Sequence, residues 1–191
     1  TEPLRQSMQK RLPWLFVLLG LGLLVSTVVG AFEQVVSQLT LIMCFQSLIL
    51  DMAGNVGTQS LAVTIRVLMD ENLTFRQKFG LVVKEVRIGS ANGLLLGLAS
   101  FVLIGLYIWL FRGRDLMTAF AVSGCIGLAL LVAMAISSAV GTLIPLFFKK
   151  INIDPAVASG PLITTVNDLV AVVTYYGLSW LLLLQIMHLA G

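Results

Sequence analysis

Five runs of apolar residues, each near or above the roughly 20 residues an α-helix needs to cross a bilayer, leave this chain few ways to fold. They fall at about Pro13–Phe32, Leu39–Met69, Leu81–Phe111, Leu116–Phe148 and Ala156–His188. Strands of a membrane barrel would instead alternate apolar and polar side chains over about 10 residues. A mean hydropathy of +1.00 and a charged fraction of 11% exclude a soluble domain, where about 25% is usual. The expected fold class is all-α integral membrane, with five transmembrane helices per protomer. Residues 1–12 form a juxtamembrane segment, and residues 13–191 the five-helix domain.

The links orient the chain. Pro13 is suited to the first turn of the first helix, RGRD at Arg112–Asp115 reads as a tight turn, and Pro145 is placed to kink the end of the fourth span. Lys84, Glu85 and Arg87 occupy the first turns of the third span, where long side chains reach the interface. Five spans put the termini on opposite sides. Arg5, Lys10, Arg11, Arg66, Arg76, Lys78, Lys84, Arg87, Lys149 and Lys150 fall on one side, and Arg112 and Arg114 on the other. The positive-inside rule then predicts a plasma (inner) membrane protein with a cytoplasmic N-terminus and an extracytoplasmic C-terminus. The basic excess thus reflects topology and anionic lipid, and no basic face interleaved with aromatics points to nucleic acid. The chain opens on Thr1 with no secretory signal, so it is expected to begin inside a longer protein whose N-terminal domain is absent here. Cys44 and Cys125, alone in separate spans, read as packing residues and not as a disulfide or zinc site. His188 reads as an interfacial side chain.

Small residues predict close helix contacts. Gly89, Gly93 and Gly97 recur every fourth residue in the third span, as do Ala133, Ser137 and Gly141 in the fourth. No inverted repeat is evident, which weakens the case for an alternating-access fold built from two halves.

Polar residues inside the spans carry the functional signal. DMAGNVGTQS at Asp51–Ser60 interrupts the second span, and helical spacing aligns Ser47, Asp51, Asn55, Thr58 and Ala62 on one face. Lipid cannot satisfy such a stripe, so it faces other helices or water, with Gly54 and Gly57 marking backbone that is closely packed or partly unwound. Asp51 and Asn55 fit either a polar path or a hydrogen-bonded clamp between helices. In the fifth span Pro161, Thr164, Asp168 and Val172 share a face, with Thr165 beside them. Asp168 is the only formal charge after Asp154, and an aspartate at mid-span costs about 2.5–3.5 kcal/mol on insertion scales. A cation, a proton or a hydrogen-bonding partner would offset that cost. Pro161 has no amide hydrogen for the carbonyl of Val157, which frees that oxygen for water or an ion. Asp154 and Glu85 lie on the cytoplasmic side, where they either form a cation-attracting mouth or pair with Lys84, Lys149 and Lys150. Every candidate ligand is an oxygen, which suits magnesium, calcium or manganese. Magnesium keeps several waters and takes one or two carboxylates, the better match to one aspartate per chain. A two-fold homodimer would bring two copies of Asp168 together, and a divalent ion would relieve their repulsion.

RLPWL in the first span, DMAGNVGTQS in the second, KE before the glycine-rich third span and DPAVASGPLITTVND at Asp154–Asp168 together resemble the transmembrane domain of the MgtE family of magnesium channels. The likeness covers essentially the whole chain. It implies a homodimer with the pore between protomers, lined by the second and fifth spans. It further implies that residues 1–12 end a connecting helix from cytosolic magnesium-sensing domains. By the same resemblance Asp168 matches the central pore aspartate, Thr164 the position whose backbone carbonyl faces the hydrated ion, and Asp154 the acidic residue at the cytoplasmic mouth. Gly160 departs from the pattern, standing where some members place an asparagine that assists ion hydration.

The reading that follows is a magnesium-selective channel for passive uptake, with a hydrated ion held by paired aspartates and with Asp51, Asn55, Thr58, Pro161 and Thr165 lining its path. A proton- or sodium-coupled divalent cation transporter is the alternative, and a non-transporting subunit that only binds partner helices is a third. Neither HExxH nor GxSxG occurs, and nothing favours an enzyme.

Overall fold

The structure, a computed structural model, describes residues 3–33, 40–70 and 73–186. Five helices in it are long and apolar enough to cross a membrane. They are α1 (Leu4–Ala31), α2 (Thr40–Asp70), α3 (Phe75–Phe111), α4 (Leu116–Lys150) and α5 (Pro155–Leu178), the last running on into a π-helical end, Ser179–Ile186. The chain is an all-helical, multi-pass membrane protein. His188 and the expected start of the second span at Leu39 lie outside the described residues.

Helix ends differ from expectation where local chemistry outweighs hydropathy. Pro13 lies inside α1, which begins at Leu4 after Pro3. Leu, Arg, Gln, Met and Lys are good helix formers, and the carbonyl that Pro13 leaves without a donor belongs to Gln9, which is exposed. α3 begins at Phe75, six residues before the apolar run, because Thr74 and Gln77 form a capping box. The Thr74 amide donates to Gln77 Oε1 (2.8 Å), and the Gln77 amide donates to Thr74 Oγ1 (3.4 Å). The α3–α4 turn is as tight as predicted. Gly113 takes φ +62°, and Asp115 caps α4 by accepting from the Thr118 amide at 2.9 Å.

α4 is the centre of the bundle, with α3, α2 and α5 packed around it, α2 against α5, and α1 along α5. Both predicted small-residue faces are buried, but they do not meet each other. Gly89 faces Ser138 and Met134, Gly93 faces Leu131, and Gly97 meets Gly127 backbone to backbone. A Cβ on Gly97 would stand 2.6 Å from the Gly127 carbonyl oxygen, and one on Gly127 would stand 2.7 Å from that of Gly97. The Ala133–Ser137–Gly141 face turns elsewhere, and at Gly141 it meets Gly57 and Ser60 of α2. α4 therefore carries a small-residue seam for each of two neighbours. Outward, side chains such as Phe16, Leu95 and Leu103 form an apolar jacket suited to lipid.

Candidate ion site between α2 and α5

α2 runs unbroken through Asp51–Ser60, so the glycines there serve packing and access without unwinding the helix. Gly57 is the point of closest approach. Its carbonyl lies against Gly141 of α4, and a Cβ on it would overlap the carboxamide of Asn167 on α5. Asn167 is fully buried, with Nδ2 3.5 Å from the Ala53 carbonyl oxygen and Oδ1 without a partner among the described residues. Gly54, one turn earlier, has nothing within 4 Å of a Cβ position and opens onto a cleft.

That cleft, about 320 Å3, is lined by Leu50, Asp51, Gly54, Asn55 and Thr58 of α2 and by Thr164 and Asp168 of α5. Asp51, Asn55 and Thr58 of the predicted α2 stripe and two of the α5 candidates thus share one space, while Ser47 and Ala62 do not line it. Within it, Asn55 Nδ2 donates to Asp51 Oδ2 at 3.2 Å, which ties up part of one carboxylate inside its own helix. Thr58 Oγ1 gives its hydrogen to the carbonyls of Gly54 (3.0 Å) and Asn55 (2.9 Å), and Thr164 Oγ1 gives its own to Gly160 (3.2 Å). A threonine that donates to its own helix has only lone pairs left for the cleft. Asp168 is half-buried, and among the described residues none donates a hydrogen bond to it. The result is an acceptor-rich wall in the middle of membrane spans, suited to a cation or to water that solvates one.

The other expected residues lie apart from this cleft. Pro161 and Thr165 are half-buried on α5, with Thr165 Oγ1 donating to the Pro161 carbonyl at 3.1 Å. Asp154 is exposed just before α5, at the Lys149–Lys150 end. Glu85, expected either beside Asp154 at a mouth or paired with a nearby lysine, is 4% exposed, one turn before Gly89 on the face of α3 that packs against α4. No ion pair joins it to Lys84, Lys149 or Lys150 among the described residues.

Three residues that hold the site went unnoticed in the sequence. Asn167 fixes the depth of α5 against α2. Tyr175 donates to the Ile42 carbonyl at 2.9 Å, and Tyr176 to Gln46 Oε1 at 2.6 Å, so the far half of α5 is tied to α2. The available signal was their position: Asn167 adjoins the lone charge of the span, and the tyrosines follow two turns later on a segment otherwise apolar.

A family model described as "Divalent cation transporter" (MgtE) matches residues 46–178, which include every residue lining the cleft. Three relatives are named "Magnesium transporter MgtE". The one from Enterococcus faecalis is 39% identical over 181 residues (93% of this chain, 37% of the relative), and that from Bacillus subtilis 36% over 170 residues (89% and 36%). The one from Thermus thermophilus is 30% identical over 173 residues (91% and 36%). The chain therefore spans a little over a third of the length of the curated relatives it matches. With the family model covering more than half of its residues, the chain belongs to the MgtE family of divalent cation transporters.

Proposed function

We propose that this chain is the pore-forming part of a magnesium channel, in which two copies face each other across their α2–α5 clefts and a hydrated ion passes between them into the cytoplasm. The observation that carries this reading is the cleft itself, which gathers Asp51, Asn55, Thr58, Thr164 and Asp168 from two helices onto one surface. Its size suits a hydrated ion. Six waters at about 30 Å3 each come to about 180 Å3, well within the 320 Å3 of one cleft. Magnesium sheds water reluctantly and is typically held through its hydration shell by one or two carboxylates. Asp168, to which none of the described residues donates a hydrogen bond, is the carboxylate for that task, and its copy across a two-fold axis supplies the second. Without an ion the two would repel, so the cargo also relieves a like-charge contact. Acceptor oxygens of Thr58 and Thr164 take hydrogen bonds from the ion's waters. Pro161 and Thr165 continue the path along α5, and Asp154 stands at the cytoplasmic mouth that the positive-inside rule assigns to the Lys149–Lys150 end. The names of the relatives favour magnesium as the cargo over calcium or manganese.

The test is magnesium flux into proteoliposomes. Asp168→Asn keeps the shape and removes the charge, and is expected to lower selective flux at least 10-fold while the variant still elutes as a folded protein. Wild-type flux and selectivity in that variant would refute the assignment. Flux that requires an imposed proton or sodium gradient would replace the channel with a coupled transporter.

A further inference from the structure

At the α3–α4 turn, the end of the bundle opposite Lys149 and Lys150, a separate cavity of about 260 Å3 is lined by Thr40, Leu41 and Cys44 of α2 and by Arg112 and Arg114 of the turn. None of these residues belongs to the ion cleft. The chain has 12 lysines and arginines, and the span order leaves only these two at this end. Both line the same cavity. The turn explains how: Gly113, at φ +62°, reverses the chain between them.

Among the described residues no carboxylate pairs with either of them. Asp115, the acid of the turn, is engaged in capping α4 through the Thr118 amide, which holds its carboxyl below the usual value of 3.8 and keeps it ionised in that role. Arg112 Nη2 reaches only Cys44 Sγ, at 3.1 Å, and a thiol is a weak acceptor. Arg114 makes no ion pair among the described residues. Exposed Tyr107, Trp109 and Phe111 surround this end of α3, the belt that marks headgroup depth. Two guanidiniums without an ion pair among the described residues, on one concave surface at the depth the aromatic belt marks, match the fork geometry with which arginine grips a phosphate bidentately.

We propose that Arg112 and Arg114 form a phosphate-binding site, with the Thr40 hydroxyl on the facing wall, that takes the phosphate of a lipid headgroup or a free phosphate ion. The bound group would join the start of α2 to the α3–α4 turn. α2 otherwise packs mainly on α4 and α5 and meets α3 at this end through Phe45 against Tyr107, so the bridge adds a polar tie between the α3–α4 turn and the helix that carries Asp51, Asn55 and Thr58. The site stands independently of the ion assignment.

The purified chain in detergent can be titrated with dioleoylphosphatidylglycerol, with dioleoylglycerol, which lacks the phosphate, and with inorganic phosphate, read by native mass spectrometry. Wild type is expected to retain one phosphatidylglycerol per protomer at a concentration at least 10-fold lower than Arg112→Gln/Arg114→Gln, and to show no such preference for dioleoylglycerol. Arg112→Lys/Arg114→Lys should fall between, since lysine keeps the charge and loses the fork. Retention of phosphatidylglycerol that inorganic phosphate does not displace assigns the site to lipid. Retention of inorganic phosphate alone, lost in the double variant, assigns it to the free ion. Equal binding of both probes by wild type and the double glutamine variant overturns the proposal. Should that variant misfold, Arg114→Gln alone decides, because among the described residues Arg114 makes no hydrogen bond or ion pair whose loss would unfold the turn.

Discussion

Replacing Gly57 by alanine should wedge α5 away from α2 and disturb the cleft without touching any residue that lines it. The added Cβ would overlap Asn167 Nδ2 and lie 3.1 Å from its Cγ, where ordinary contact begins at 3.4 Å. Asn167 is fully buried, so moving its carboxamide aside means giving up its bond to the Ala53 carbonyl or shifting the helix that carries it. Overpacking of this kind costs about 1–3 kcal/mol. Asn167→Ala alone should cost less than about 2 kcal/mol. It gives up a long 3.5 Å bond to the Ala53 carbonyl but also removes an orphaned Oδ1. Combining the two substitutions removes the clash, so the double variant should be more stable than Gly57→Ala by about 1 kcal/mol or more, a coupling typical of side chains in contact. The assay is reversible unfolding of the detergent-solubilised protein with a denaturing detergent, run on all four members of the cycle and paired with magnesium flux. Gly57→Ala within about 0.5 kcal/mol of wild type, or effects that add within that margin, would refute Asn167 as the spacer between α2 and α5.

Other substitutions test neighbouring steps of the reasoning. Gly54→Ala meets no atom within 4 Å, so stability should stay within about 0.5 kcal/mol of wild type, while the methyl group intrudes on the cleft and lowers magnesium flux; unchanged flux would place Gly54 off the ion path. Gly97→Leu sets a branched side chain against the Gly127 backbone and should prevent α3 from seating on α4, seen as loss of the monodisperse protein on size exclusion; a stable, wild-type-like variant would refute that seam. Asp115 has a folded pKa below its usual 3.8 because the Thr118 amide donates to it, so its stabilising effect is complete above that value and fades as pH falls through the folded one. Asp115→Asn keeps a capping side chain and should flatten the acid limb of the unfolding curve below about pH 4; an identical limb would show that the cap does not titrate.

The spans were legible because lipid imposes a simple rule on long apolar runs, and Asp168 and the α2 stripe were legible because the same rule makes polar groups there conspicuous. Helix ends were harder. α3 starts at Phe75 through a two-residue cap inside a charged stretch, which hydropathy reads as a link. Glu85 shows a different limit: its charge fitted either a mouth or a pairing with nearby lysines, while its spacing, four residues before Gly89, matches its burial on the α3 face that packs against α4. Periodicity was the better guide. The pairing of seams was out of reach, because a small-residue face says that a helix will approach closely and not which neighbour will do so.

Asn167 and Asp168 are coupled through the helix that carries both. Successive helical residues point about 100° apart, so a helix that seats one of them against a neighbour has little freedom left in aiming the other. Asn167 is seated against Gly57, which fixes both the rotation and the depth of α5 and leaves Asp168 facing Asp51 and Thr58 across the cleft. Tyr175 and Tyr176, two turns on, secure the same rotation through α2 at Ile42 and Gln46. The carboxylate that lipid made conspicuous in the sequence is thus aimed by an adjacent amide that lipid never meets. A change at Asn167, Gly57 or either tyrosine should therefore alter ion selectivity before it alters the charge of the path, since selectivity in a hydrated-ion site depends on where the oxygens stand.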